Sequence, residues 1–360
     1  MACRDVQSFH VSIEVPCSWQ SVLAGLENGT GTVVVIGECD SGKSTFCALA
    51  ASRAAQAAGK SRPVAVVDAD VGQSDIGPPA CVSMGLVQAP IERLDQVPVA
   101  AMEFVGATSP VGHLLQCATA TARMAQKARD IAALVIVDTT GLVHGGIARA
   151  LKSAKMDLLQ PWMVIALQRE SELESLLAPY RHRTQPVIAR LEVARSVVSK
   201  SVDERRQRRK ARFAQYFRGA RAAEIGWESV TLEGSAFLSG QAMAGHFCAY
   251  AEGQLGCEVV RVERTSNGLL ALVKGEPDSR ARREAGQEGY EVERLSRFDN
   301  LLVGLIDRKG ETIGLGIVER VDLDKRRFAV ATPVERPQDV ACLRLGSMRL
   351  LRDGRELGEA

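Results

Sequence analysis

The sequence predicts an α/β protein in two parts: a doubly wound, mainly parallel sheet followed by a smaller β-rich domain. Three observations predict it. From Thr32 onward, short apolar runs alternate with amphipathic stretches of helical length, the pattern of strand and crossover-helix units. One strand-to-helix junction, at residues 37–44, carries the glycine-rich string GECDSGKS. After about residue 223 the long helical stretches give way to β-rich runs punctuated by glycine.

The elements follow in order. His10 to Val15 reads as a short strand and SWQSVLAGLENGTG as a helical turn ending in glycine, so residues 1–30 form an entry segment, too short to be a domain. In the first domain, residues 31–222, strands are expected at Val33–Gly37, Val64–Asp68, Val82–Val87, Leu134–Asp138, Met163–Leu167 and Val187–Leu191. Helices are expected at Lys43–Ala58, His113–Asp130 and Gly146–Leu159, and ligands at the carboxyl ends of the strands. Residues 195–221 interrupt this rhythm with a helical stretch in which ten basic residues face two acidic ones. The second domain, 223–360, is read as mainly β, with a hairpin turn at DRKGET around Gly310 and a polar loop at 275–289.

Composition bounds the function. A chain of 360 residues exceeds the size at which one core usually stops growing, so two domains are the default. Hydrophobic content of 46% with 24% charged residues excludes a disordered or fibrous chain. A net charge of +2 is too mild to announce a nucleic-acid partner by itself. The nine cysteines form no CxxC pair and no zinc-spaced Cys/His cluster, so they read as reduced thiols of a cytoplasmic protein. No apolar stretch is long enough for a membrane span or a signal peptide, which argues against membrane insertion and export.

GECDSGKS satisfies G-x-x-x-x-G-K-[ST] between an apolar strand and a helix, the setting of a phosphate-binding P-loop. Residues Gly37, Glu38, Cys39, Asp40, Ser41, Gly42, Lys43, Ser44 and Thr45 would hold ATP. Backbone N–H groups cradle the phosphates, Lys43 reaches the outer ones, and the Ser44 hydroxyl ligates Mg2+. Carboxylates stand where that metal would lie. Asp68 and Asp70, with Gln73, end one strand, and Asp138, followed by Thr139 and Thr140, ends another. Such carboxylates can hold magnesium or take a proton from an attacking hydroxyl; the alternative for each is a cap or turn residue. The arginine-rich run is likewise either a solvated face or a lid that brings guanidinium groups to a moving phosphoryl group.

Together these residues resemble the P-loop polynucleotide 5'-hydroxyl kinases, the Clp/Grc type of RNA-processing kinases. GECDSGKS is similar to their Walker A, and DADVGQ at 68–73 to their variant Walker B, which gives Asp70 and Gln73 the catalytic positions. VGATSP at 105–110 resembles the segment that follows, and DTTG at 138–141 their clasp, with Thr139 and Gly141 in place and Leu142 where a tryptophan is usual. RRQRRKARFAQYFRG at 205–219 resembles their lid, assigned to residues 201–219, with Arg205, Arg209 and Arg212. The resemblance spans roughly residues 30–335 and implies transfer of the γ-phosphate of ATP to the 5'-hydroxyl end of single-stranded RNA or DNA. It makes Lys43, Asp70, Gln73, Arg205 and Arg209 catalytic. It puts Ser44, Asp68 and Thr139 around the metal, and Thr139, Gly141 and Arg212 on the substrate. It also implies a compact prokaryotic member without the large amino-terminal domain of eukaryotic ones. Two rivals stand beside this reading: an ATP-loaded scaffold without turnover, and a P-loop kinase or ATPase acting on another substrate.

Overall fold

The computed structural model describes residues 15–58, 63–277 and 290–360. Most of the amino-terminal strand expected from His10 and residues 278–289 of the expected polar loop lie outside the described residues. The chain divides into two compact units, Met1–Arg209 and Lys210–Ala360.

The first unit contains α1 (Cys17–Glu27), β1 (Gly31–Gly37), α2 (Lys43–Ala58), β2 (Val64–Ala69), β3 (Cys81–Val87), β4 (Ala101–Phe104) and α3 (Leu114–Ile131). It continues through β5 (Leu134–Thr139), α4 (Gly145–Leu159), β6 (Met163–Gln168), α5 (Glu174–Leu177) and β7 (Val187–Glu192), and ends within α6 (Val202–Tyr216). Its sheet has the order β4-β3-β2-β5-β1-β6-β7. The five strands from β2 to β7 in that order pair in parallel, as expected.

Strand β3 runs antiparallel to β2, and the unexpected β4 runs antiparallel to β3. The cause is the connector 70–80, which contains no helix and so cannot make the crossover that a parallel neighbour requires. The entry segment also differs from expectation. Helix α1 has 11 residues, and Trp19, Leu23 and Leu26 form a buried stripe at helical spacing. Trp19 meets Phe46 of α2 edge-on at 5.1 Å, so the segment belongs to the core of this unit.

Alternation in β1 feeds both faces of the sheet: Val34 and Ile36 enter one core cluster, Val33 and Val35 the other. A strand buried on both faces must sit in the middle, and its neighbours there are β5 and β6. Register then aligns the strand ends. Val35 lies opposite Asp138, and Asp138 opposite Asp68, so one edge of the sheet collects the P-loop and both acidic strand ends.

The second unit is mainly β. It contains β8 (Arg221–Gly226), β9 (Thr231–Glu233), β10 (Gln241–Ala242), α7 (Gly245–Leu255), β11 (Glu258–Thr265), β12 (Gly268–Lys274) and β13 (Tyr290–Arg294). Then follow β14 (Leu301–Asp307), β15 (Thr312–Asp322), β16 (Arg327–Thr332), β17 (Val340–Leu350) and β18 (Glu356–Glu359). One sheet has the order β18-β17-β14-β15-β16-β8 with β9 beside β17, and a second has the order β10-β11-β12-β13. The turn after β14 is the expected one: Gly310, at φ 76°, donates its N–H to the Asp307 carbonyl at 3.0 Å. Trp227, Phe237, Phe298 and Phe328 form an aromatic core, with Trp227 and Phe237 at 5.1 Å. Strand β8 pairs with β16, which carries this sheet upstream of the boundary expected at residue 222.

Candidate active site

The P-loop begins where β1 runs out of ladder partners and ends where α2 starts. The first N–H groups of a helix have no intrahelical acceptor, so the turn at Lys43, Ser44 and Thr45 offers donors to an anion. Steric limits fix the loop sequence. A Cβ on Gly37 would come within 2.4 Å of the Ser41 hydroxyl and 2.7 Å of the Leu167 carbonyl, and Gly42 sits at φ 83°. Asp40 is also left-handed, at φ 53°, a conformation that aspartate tolerates better than most residues.

Charged groups hold this loop. Lys43 Nζ donates to the Glu38 carbonyl at 2.5 Å. The Glu38 carboxylate meets His144 Nε2 and stands 3.6 Å from Arg169. Asp40 accepts from Arg205 at 2.7 Å and from the backbone N–H and Nζ of Lys200 at 2.9 and 3.2 Å. Burial pushes the Asp40 carboxyl up, but these bonds from Arg205 and Lys200 outweigh it and bring it down to about 2.

The two acidic strand ends differ. Asp138 accepts the Ser44 hydroxyl on Oδ2 at 2.6 Å, while its Oδ1 is buried with no hydrogen-bond partner. Burial raises its carboxyl to about 6, opposed by Lys43 and the Ser44 bond. Asp68 is engaged by its own loop: Oδ1 accepts the Asp70 N–H at 3.1 Å, and Oδ2 accepts those of Asp75 and Ile76 at 2.6 and 2.9 Å. The sequence reading puts Asp68 and Thr139 beside the metal; in the structure the oxygens of Asp68 accept from its own loop. Thr139 is fully buried, donates to the Val35 carbonyl at 2.7 Å and accepts Lys152 Nζ at 2.7 Å. Gly141 packs on the P-loop, where a Cβ would fall 2.5 Å from the Cys39 backbone nitrogen.

Beyond β2, Asp70 Oδ1 accepts the N–H groups of Gly72 and Gln73 at 3.0 Å, a turn that fixes the carboxylate at the strand mouth. Gly72 must be glycine, since a Cβ would stand 2.7 Å from the Thr108 carbonyl of the VGATSP segment. The Gln73 side chain donates to the Arg205 carbonyl at 3.2 Å and so joins this loop to the start of the arginine-rich helix.

A cleft of about 510 Å³ gathers residues 39–45 of the P-loop, Asp70, Gln73, Asp75, Lys200, Arg205 and Arg208. Arg208 pairs with Asp75. Arg209 is half-buried and is not among the residues lining the cleft, whereas Arg208 is. Arg212 belongs to the second unit. Sequence reasoning also missed the buried Lys152 and Lys155 of α4. Burial, then the neighbouring Lys155 and Lys43 charges, pushes Lys152 well below the usual lysine range, and burial brings Lys155 down to about 8.

Orphaned, buried Asp138 Oδ1 beside the Ser44 hydroxyl is the kind of donor set that magnesium takes, with few protein oxygens and the rest from phosphate and water. Among the described residues no cluster of His, Cys, Asp and Glu has the form of an all-protein metal site.

The family model of the mRNA cleavage and polyadenylation factor CLP1 P-loop matches residues 37–219, from the first P-loop glycine to the end of the Tyr-Phe-x-Gly sequence. The chain belongs to this family. Similarity to named relatives extends well beyond the P-loop. The chain is 30% identical to a polyribonucleotide 5'-hydroxyl-kinase of Methanocaldococcus jannaschii, over 91% of this chain and 89% of that one. It is 31% identical to one of Thermococcus kodakarensis, over 91% and 90%. A CLP1 homologue of Arabidopsis thaliana is 26% identical over 52% of this chain and 44% of its own. The solved structure of wild-type Clp1p in complex with Pcf11p shares the CLP1 fold, with a TM-score of 0.57 at 14% identity over 91% of this chain and 77% of that one. Among the described residues no helix is long and apolar enough to cross a membrane.

Proposed function

We propose that this CLP1-family protein is a polynucleotide 5'-hydroxyl kinase that transfers the γ-phosphate of ATP to the 5'-hydroxyl end of RNA, and of single-stranded DNA. The observation that carries the reading is the convergence in one cleft of the P-loop, Asp70, Gln73 and lid arginines. Near full-length similarity to proteins named polyribonucleotide 5'-hydroxyl-kinases supports the choice of acceptor.

In this reading the P-loop N–H groups hold the ATP phosphates and Lys43 moves from the Glu38 carbonyl to the outer ones. Ser44 and Asp138 are the residues to hold Mg2+, which supplies neutralisation and orientation of phosphate oxygens when bound. Asp70, fixed through Oδ1, takes the proton of the attacking 5'-hydroxyl with its carboxylate. The new bond joins the 5'-oxygen to the γ-phosphorus as the bond from that phosphorus to the bridging oxygen of ADP breaks. Arg205 and Arg208 reach the cleft from the helix that Gln73 anchors, and their guanidinium groups stabilise the charge on the moving phosphoryl group. The described cysteines are free thiols, which fits a reducing, cytoplasmic setting.

The test is transfer of labelled γ-phosphate from ATP to RNA and DNA oligonucleotides with 5'-hydroxyl or 5'-phosphate ends. Label on 5'-hydroxyl ends alone, lost in Lys43→Ala and Asp70→Asn, is the expected result. Tight ATP binding with no oligonucleotide labelled would sink the proposal and favour the scaffold.

A further inference from the structure

Helix α4 places two lysines three residues apart, and therefore on one face, underneath the acidic edge of the sheet. Lys152 is 2% exposed and Lys155 1%. Neither forms an ion pair among the described residues. Lys152 Nζ donates to Thr139 Oγ1 and to the Thr140 carbonyl, both at 2.7 Å. Lys155 Nζ reaches the Ala69 carbonyl at 3.5 Å. These acceptors sit at or just past the last residues of β5 and β2, where the ladder ends and carbonyls need another donor. The residues adjoining them are Asp138 on one strand and Asp70 on the other.

A buried lysine without a carboxylate partner is a costly way to fill a core; an apolar chain of similar length would pack there more cheaply. A long chain ending in an amine reaches from α4 to the strand ends and supplies donors to Thr139 and Thr140 at once. Thr139 extends the linkage, because the hydroxyl that accepts Lys152 donates to Val35 in the strand feeding the P-loop. One helix thus grips three successive parts of the catalytic edge: the P-loop strand through Thr139, the Asp138 strand directly, and the Asp70 strand more loosely.

We infer that Lys152, assisted by Lys155, is a positioning residue for phosphoryl transfer: it fixes the ends of β5 and β2 so that the P-loop, Asp138 and Asp70 keep their mutual distances while phosphate moves. This rests on the kinase reading above. Neither lysine touches substrate; each acts through the backbone it holds. A misplacement of about 1 Å at a reacting centre can cost about a hundredfold in rate, so loosening the grip lowers kcat more than it weakens nucleotide binding.

The experiment compares wild type with Lys152→Met, Lys152→Arg and Lys155→Met. Its readouts are kcat and KM for γ-phosphate transfer to a 5'-hydroxyl oligoribonucleotide, ATP binding by fluorescence titration, the unfolding midpoint, and amide exchange over residues 138–142. Lys152→Met is expected to lower kcat by about tenfold to a hundredfold, with KM for ATP and the unfolding midpoint near wild type and faster exchange confined to 138–142. Lys155→Met, which loses the longer bond, follows with a smaller fall. Lys152→Arg, which keeps N–H donors at the end of a long chain, recovers part of kcat. An unchanged kcat in a folded Lys152→Met protein overturns the inference. So does a fall in kcat matched by lost ATP binding and a lower unfolding midpoint, which marks an ordinary structural residue. A wild-type protein that labels no oligonucleotide instead overturns the kinase reading, and the failure then shows before any variant is compared.

Discussion

Asp68 and Asp138 are register partners on adjacent parallel strands, both fully or almost fully buried, and they have opposite uses. Asp68 spends its oxygens on three backbone N–H groups of its own loop and on the Ser74 hydroxyl, at 3.3 Å. Asp138 has one oxygen on Ser44 and one on nothing. The same residue in the same row of a sheet is therefore a loop anchor in one strand and keeps a buried oxygen without a hydrogen-bond partner in the next. What separates them is the chain that follows. The turn after β2 folds back over its own aspartate, whereas the segment after β5 departs along Cys39 and leaves the carboxylate facing α2.

The contrast can be broken by substitution, beginning with the largest effect. Asp138→Asn should lower transfer by about a thousandfold, because phosphate charge stabilisation by a metal is worth several kcal/mol; raising Mg2+ in initial-rate assays should recover only part of it. Arg205→Ala should lower kcat by about a hundredfold, the scale of losing one charge-stabilising donor. Arg209→Ala, outside the cleft lining, should cost less in the same assay. Equal losses would return Arg209 to the place the sequence gives it.

Asp68→Asn should act on the fold. It turns one acceptor into a donor among N–H groups, so about 2 kcal/mol of stability should go, read by urea unfolding. The smallest effect concerns the lysines behind these strands. Lys155 is held near 8 in the folded protein against 10.5 when free. Within that window the unfolded chain binds more protons, so stability rises with pH. Wild type should gain about 1 kcal/mol between about pH 8 and about pH 9 relative to Lys155→Met.

Much of this was legible because it is local. The P-loop pattern and α2, at Lys43–Ala58, need only a strand end, a glycine turn and a helix start. The six expected strands fall within one or two residues of those observed, since apolar runs must be buried. The roles at the strand ends were less legible. DTTG shows an acidic residue and two threonines, but which oxygen faces Ser44 and which faces Val35 depends on how β5 sits beside β1. The lysines of α4 look like the polar face of any amphipathic helix. Only the closeness of α4 to the ends of β5 and β2 makes them interior. The antiparallel β3 and β4 escaped for a related reason: strand direction is set by the connection, and the strand's own residues carry little of it.

The most direct measurement sets Asp138→Asn and Asp68→Asn side by side, with initial rates of γ-phosphate transfer to 5'-hydroxyl RNA and the unfolding free energy taken on the same preparations. The account predicts that Asp138→Asn loses transfer at near wild-type stability, while Asp68→Asn loses stability and keeps transfer wherever it remains folded. Full transfer by Asp138→Asn, or loss of transfer by Asp68→Asn at unchanged stability, would contradict it.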